Sequence, residues 1–170
     1  MKTALISGGA KRIGAQIVRT LHEDGYKVII HCHQSEEIAQ ALCHELNSKR
    51  NSSAQVVVAD LGDNEAIKKL TQTIKSLDLL VNNASVFYPT SIENSTIENW
   101  DKIININLRA PFFISTELSK VLAVNQGSIV NIIDIHSDRP LKKFSIYNIS
   151  KAGMKMLTKT LAKELAPNIR

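Results

Sequence analysis

The stretch Thr3-Ala4-Leu5-Ile6-Ser7-Gly8-Gly9-Ala10-Lys11-Arg12-Ile13-Gly14 decides the fold. A short apolar run stops at a glycine-bearing turn, and helical periodicity then begins and continues through Ile13–Asp24. Gly8 permits a tight turn, and Gly14 permits close packing of the helix on the sheet. The helix N-terminus offers free N–H groups and the positive end of a dipole to a pyrophosphate. A generic glycine-rich turn has the same letters. Strand, turn and helix in this order at the head of a βαβ series point to dinucleotide binding.

Outward from this stretch, short apolar runs alternate with longer segments of 3.6-residue periodicity. The runs Thr3–Ser7, Lys27–His31, Gln55–Ala59, Leu77–Val81 and Ser128–Ile133 lack polar alternation, as strands buried on both faces do. Between them Ile13–Asp24, Ser35–Ser48, Asn64–Lys75 and Ile97–Val124 read as helices, the last as a short helix or loop followed by a long one. Tyr147–Leu165 closes the series as an amphipathic helix. The expected fold is α/β: a doubly wound, Rossmann-like parallel sheet with helices on both faces and ligands at the carboxyl ends of the strands. The stretch Phe87–Asn99 lacks an obvious regular element and borders that crevice.

Composition narrows the class. At 170 residues the chain fits one domain, residues 1–170, by the usual ~100–200 residues per domain. Lys+Arg 21 against Asp+Glu 16 gives a net charge of +5, but the basic residues come singly or in pairs. No basic run with interleaved aromatics offers itself to nucleic acid. No apolar run approaches the ~18 residues of a membrane span, and two cysteines supply neither a disulfide framework nor a CxxC site. A cytoplasmic location is expected.

The end of the second strand carries His31-Cys32-His33-Gln34-Ser35 with no acid before Glu36. An acid here would hold a ribose 2′-OH. His33, Gln34 and Ser35 instead present donors to a 2′-phosphate, with Lys11 or Arg12 adding charge, so NADP is the expected cofactor. His31 and His33 share a strand face, but no third metal ligand accompanies them. No metal is expected.

Tyr147-Asn148-Ile149-Ser150-Lys151 puts Tyr147 and Lys151 one helical turn apart. Alone, such a pair is a common accident of amphipathic helices. As chemistry, a cation beside the phenol would favour the phenolate and lower its pKa from ~10.

In combination these motifs resemble the short-chain dehydrogenase/reductase family. The resemblance spans nearly the whole chain and adds Asp60-Leu61, Asn82-Asn83-Ala84, Asn105-Ile106-Asn107-Leu108 and Asn131-Ile132 in the right order. It implies that Gly8, Arg12, Ile13 and Gly14 hold the cofactor with His33, Gln34 and Ser35, that Asp60 and Leu61 hold the adenine, and that Asn83, Ala84 and Ser85 support cofactor and central strand. Asn107 would tie a water to Lys151, Lys151 would hold the nicotinamide ribose, and Tyr147 would donate the proton.

Departures from the general pattern are equally informative. Arg12 stands where most members have glycine, and Asp134 stands thirteen residues before Tyr147 where most have serine. Together with His33-Gln34-Ser35 and Asn83 to Thr90, these resemble the pteridine reductase branch, which includes dihydromonapterin reductases. Carried over, Phe87 would stack on a pterin, Arg12 would contact pterin and cofactor phosphate, Ser85 would bond near the pyrophosphate and Asp134 would feed protons to Tyr147. Gln34 replaces the arginine of the best-known members.

The leading expectation is an NADPH-dependent pterin or dihydropterin reductase, with dihydrofolate among the candidate substrates. A carbonyl reductase of the same fold, such as a 3-oxoacyl thioester reductase, is the alternative, followed by a non-catalytic cofactor-binding module. The resemblance also implies a homotetramer packed through the long and final helices. It implies that Pro167-Asn168-Ile169-Arg170 leads into a sixth strand, with about a third of the domain lying beyond.

Overall fold

The structure is a computed structural model that describes all residues, Met1–Arg170. Five strands, β1 (Thr3–Ile6), β2 (Lys27–Cys32), β3 (Ala54–Val58), β4 (Leu79–Asn82) and β5 (Ser128–Asn131), pair in parallel in the order β3-β2-β1-β4-β5. The order reverses between β1 and β4, so a crevice opens beyond their carboxyl ends.

Strand alternation sorts the core into two layers. Ala4 and Ile6 of β1, Val28 and Ile30 of β2 and Val81 of β4 face α1 (Arg12–Glu23) and α2 (Glu36–Lys49). Leu5, Ile29 and Leu80 face the other way, against α3 (Asn64–Thr73) and α5 (Ala110–Val124). Leu5, Ile6, Ile30 and Leu80 are almost wholly buried, each contributing roughly 1.5–3 kcal/mol of transfer free energy. The uninterrupted apolar runs of the inner strands follow from this two-sided burial.

The segment read as a short helix followed by a long one is α4 (Ile97–Ile104) joined to α5 through a π-helical turn, Asn105–Arg109. The last helix, α6 (Ser145–Leu165), begins two residues earlier than its periodicity suggests and packs Met154, Leu157 and Leu161 against Leu108 and Ile129. β5 is two residues shorter than expected. The Asp134 carboxylate accepts the His136 N–H at 2.9 Å and starts a 3₁₀ turn, Ile135–Ser137, that draws the chain off the sheet. Beyond α6, the Ile129 N–H donates to the Arg170 carbonyl at 2.7 Å and the Arg170 N–H to the Gly127 carbonyl at 3.1 Å, so residue 170 lies alongside β5. No helix is long and apolar enough to cross a membrane.

Candidate active site

The crevice holds a cavity of about 520 Å³. Its floor is the glycine turn. Gly8 has φ +63°, which disfavours a side chain, and a Cβ on Gly14 would sit 2.1 Å from the Gly8 carbonyl oxygen. Two polar latches hold the turn against β4. Ser7 Oγ accepts the N–H groups of Asn83 and Ala84 at 2.9 and 3.0 Å, and Asn83 Nδ2 donates to the carbonyls of Ser7 and Gly8 at 3.0 and 3.1 Å. Lys11, at the N-cap of α1, makes no side-chain capping bond, so the first-turn N–H groups remain available to an anion. Ile13 is exposed in the same wall.

Arg12 has φ 50°. This left-handed conformation costs a non-glycine residue about 1–2 kcal/mol. Its exposed side chain lines the cavity.

At the opposite end, Tyr147 Oη donates to Asp134 Oδ2 at 2.7 Å. Lys151, buried one turn along α6, donates to the Ile132 carbonyl at 3.1 Å and lies 5.7 Å from the Tyr147 ring centroid. Burial pushes the Lys151 ammonium below its usual range, and the Asp134 charge opposes that shift. The expectation of a lowered Tyr147 pKa is corrected here. Burial, followed by the hydrogen bond and negative charge of Asp134, pushes the phenol above its ordinary value. Burial also pushes the Asp134 carboxyl up, but the His136 N–H, the Tyr147 hydroxyl and nearby positive charge outweigh it and hold the acid below its usual range. At neutral pH the pair therefore carries one proton, on the tyrosine.

Asn107 sits in the π turn, buried behind the cavity wall. Its Oδ1 accepts the Val86 N–H at 2.8 Å, and its Nδ2 donates to the Val86 carbonyl and to Ser150 Oγ. It thereby anchors the segment carrying Ser85 and Phe87, both of which line the cavity.

Phe87 is 55% exposed, so a core role does not explain it. One face stacks on Phe144 at 4.4 Å and 11°, and its ring meets Tyr147 edge-on at 4.7 Å. On the other side of the cavity lie Asp60 and Leu61, with His33 Nε2 3.9 Å from Asp60 Oδ2. Both side chains are about half exposed, so this contact contributes little. Gln34 and Ser35 lie outside the cavity lining, although the Ser35 hydroxyl makes no capping bond to α2.

Two site residues escaped the sequence reading. His31, considered there only as a metal ligand, accepts the Gly8 N–H at Nδ1, 3.1 Å away, so Nε2 carries the proton donated to the Ala59 carbonyl at 3.1 Å. Burial pushes its pKa down to about 4, leaving a neutral imidazole that ties the glycine turn to the end of β3. A histidine inside the apolar run Lys27–Cys32 was the available signal. Phe144, before the helical pattern, gave no such signal.

The sequence profile of the short chain dehydrogenase family matches residues 2–170. The chain belongs to that family. Among its relatives is a short-chain type dehydrogenase/reductase of Picea abies, 32% identical over 177 residues, covering 96% of this chain and 65% of the relative. Pteridine reductase 1 of Leishmania tarentolae is 31% identical over 206 residues, covering 96% of this chain and 71% of the relative. An uncharacterized oxidoreductase of Staphylococcus saprophyticus is 28% identical over 170 residues, covering 97% and 72%. This short-chain dehydrogenase chain thus spans about two thirds of the length of these curated relatives.

Proposed function

We propose that the chain forms the cofactor-binding and catalytic part of an NADPH-dependent reductase of pterins or dihydropterins. The observation that carries this reading is the 2.7 Å hydrogen bond from Tyr147 to Asp134, in a crevice that also presents Arg12 and Phe87. A 31% identity to a relative named pteridine reductase 1 supports the same reading.

The cofactor fits the residues present: a Cβ would fill the cradle at Gly14, and the α1 N-terminus is uncapped. The pyrophosphate would lie on this turn, the adenine against Asp60 and Leu61, and the nicotinamide ribose on Tyr147 and Lys151. His33 with Lys11 or Arg12 would face a 2′-phosphate. When bound, NADPH supplies the hydride.

Reduction of a pterin C=N bond also needs a proton at a ring nitrogen. The Tyr147 hydroxyl is the donor, and Asp134 takes up a proton from solvent to replace it. Pairing two titratable groups whose environments push their pKa values apart is a recurrent arrangement for acid–base work. A ketone reductase has no special need of a carboxylate here, nor of a phenylalanine placed to stack on a flat heterocycle.

The partner surface is a further part of the proposal. Trp100 of α4, Phe112 and Phe113 of α5 and Ile149 and Met156 of α6 are exposed apolar side chains on the helices through which a homotetramer would pack. The test of function is dihydropterin-dependent oxidation of NADPH by the full protein, with the tetrahydropterin product identified and Tyr147→Phe as control. Turnover of a ketone but not of dihydrobiopterin or dihydromonapterin would favour a carbonyl reductase, and binding of NADPH without any turnover would favour a cofactor-binding module.

A further inference from the structure

Two side chains bracket the loop that leaves β3. His31 Nε2 donates to the Ala59 carbonyl at 3.1 Å, and Arg109 Nη2 donates to the Gly62 carbonyl at 2.7 Å. Between these anchors Asp60 and Leu61 line the cavity, and Asp60 Oδ1 accepts the Gly62 N–H at 2.8 Å. The loop is thus held at both ends and turned on itself in the middle.

Arg109 is an unusual anchor. It forms no ion pair, and its Nε–H is buried without a protein acceptor, so no carboxylate explains its position. It is the last residue of the π-helical turn, a rare geometry that concentrates at functional sites. From the same turn Asn107 reaches the Val86 backbone on the exit of β4, while Arg109 reaches Gly62 on the exit of β3. One irregular turn therefore grips both loops that flank the crevice.

The α3 cap does not depend on this grip, since Asp63 Oδ1 accepts the Glu65 N–H at 2.9 Å. A donated hydrogen bond from a guanidinium is among the stronger kinds, and here it acts on the short segment that faces the ligand. We propose that Arg109 is a positioning residue for the adenine-nucleotide half of the cofactor, holding Asp60 and Leu61 in the geometry that receives the base. The proposal rests on the dinucleotide reading given under Proposed function.

The test compares wild type, Arg109→Ala and Arg109→Lys in binding NADPH and its two halves, adenosine 2′,5′-bisphosphate and reduced nicotinamide mononucleotide. In Arg109→Ala the affinity for NADPH and for the adenosine half falls about tenfold, the scale of one charge-assisted hydrogen bond. The nicotinamide half binds as in wild type, and kcat at saturating NADPH holds. Arg109→Lys recovers most of the loss. Unchanged affinity in a folded Arg109→Ala, or equal weakening of both halves, overturns the proposal.

Should Arg109→Ala not fold, amide hydrogen exchange in Arg109→Gln carries the test. Faster exchange confined to residues 60–63 supports it, and unchanged exchange there overturns it. Wild-type protein that binds neither half sinks the dinucleotide reading and this proposal with it, an outcome distinct from a variant that matches a wild type able to bind.

Discussion

The Tyr147 hydroxyl donates to the Asp134 carboxylate at 2.7 Å, and the two groups hold one proton between them at neutral pH. Asp134 is held below its ordinary value and Tyr147 above it, so the second proton arrives only on the acid side. Dihydropterin turnover is therefore expected to climb as pH falls from neutral to mildly acid. Asp134→Asn flattens that climb, and Asp134→Ala lowers kcat about 100-fold, within the usual range for general acid–base groups, while NADPH affinity stays near wild type. Steady-state kinetics across pH, paired with NADPH titrations, check this. Equal loss of turnover and affinity would count against Asp134 as a proton relay.

Arg12 combines a strained backbone with a side chain in the cavity. Non-glycine residues in sparsely populated conformations cluster where function requires them. Arg12→Gly is expected to stabilise the fold by about 1 kcal/mol, a rise of about 2–4 °C in Tm for a domain near this size. The same change weakens NADPH and pterin binding. Calorimetry and KM measured on one preparation give the two signs. A variant less stable than wild type would contradict the strain argument.

His31 makes folding sensitive to acid. Its folded-state pKa is lowered from 6.5 to about 4, by burial first. Above pH 6.5 the imidazole is neutral in both states and its full contribution is present. As pH falls towards 4, the unfolded chain takes up a proton that the folded chain refuses, and about 3 kcal/mol of stability is lost. His22, buried and hydrogen bonded to Ser53 Oγ at 2.7 Å, is shifted in the same direction by burial and then by Arg50 and Lys49. Urea unfolding of wild type and His31→Gln across this window isolates the His31 part, because His22 contributes to both. The variant is expected to be less stable at neutral pH and to lose less on acidification. Parallel curves would contradict the assignment.

Phe112 and Phe113 are each more than 40% exposed on α5 and pack edge to face at 5.2 Å. Exposed aromatics grouped in this way mark a contact surface. A double substitution Phe112→Glu, Phe113→Glu is expected to convert a tetramer in sedimentation to smaller species. A monomeric wild type would contradict the tetramer proposal.

The sheet was legible in the residues because two-sided burial leaves strands such as Val28–Ile30 without polar alternation. Strand ends were less so. At β5 a side-chain acceptor, Asp134, competes with continued pairing, and periodicity does not register such competition. Most candidate site residues converge on one cavity because strand–turn–helix order places them at the carboxyl ends of the strands. The direction of the Tyr147 shift was not legible, because burial first, and then the hydrogen bond and charge of Asp134, raise the phenol where a neighbouring lysine alone suggested a fall. The same holds for His31, whose side chain bonds the backbones of residues 8 and 59. Gln34 and Ser35, just before α2, lie outside the cavity lining.

The central claim is that the Asp134–Tyr147 pair serves reduction of a pterin ring by NADPH. The most direct measurement is the initial rate of NADPH oxidation by the full protein, with dihydromonapterin or dihydrobiopterin in one arm and a 3-oxoacyl thioester in the other. Saturable, pterin-dependent oxidation that disappears in Tyr147→Phe is the predicted result. Oxidation supported by the thioester and by neither pterin would contradict it.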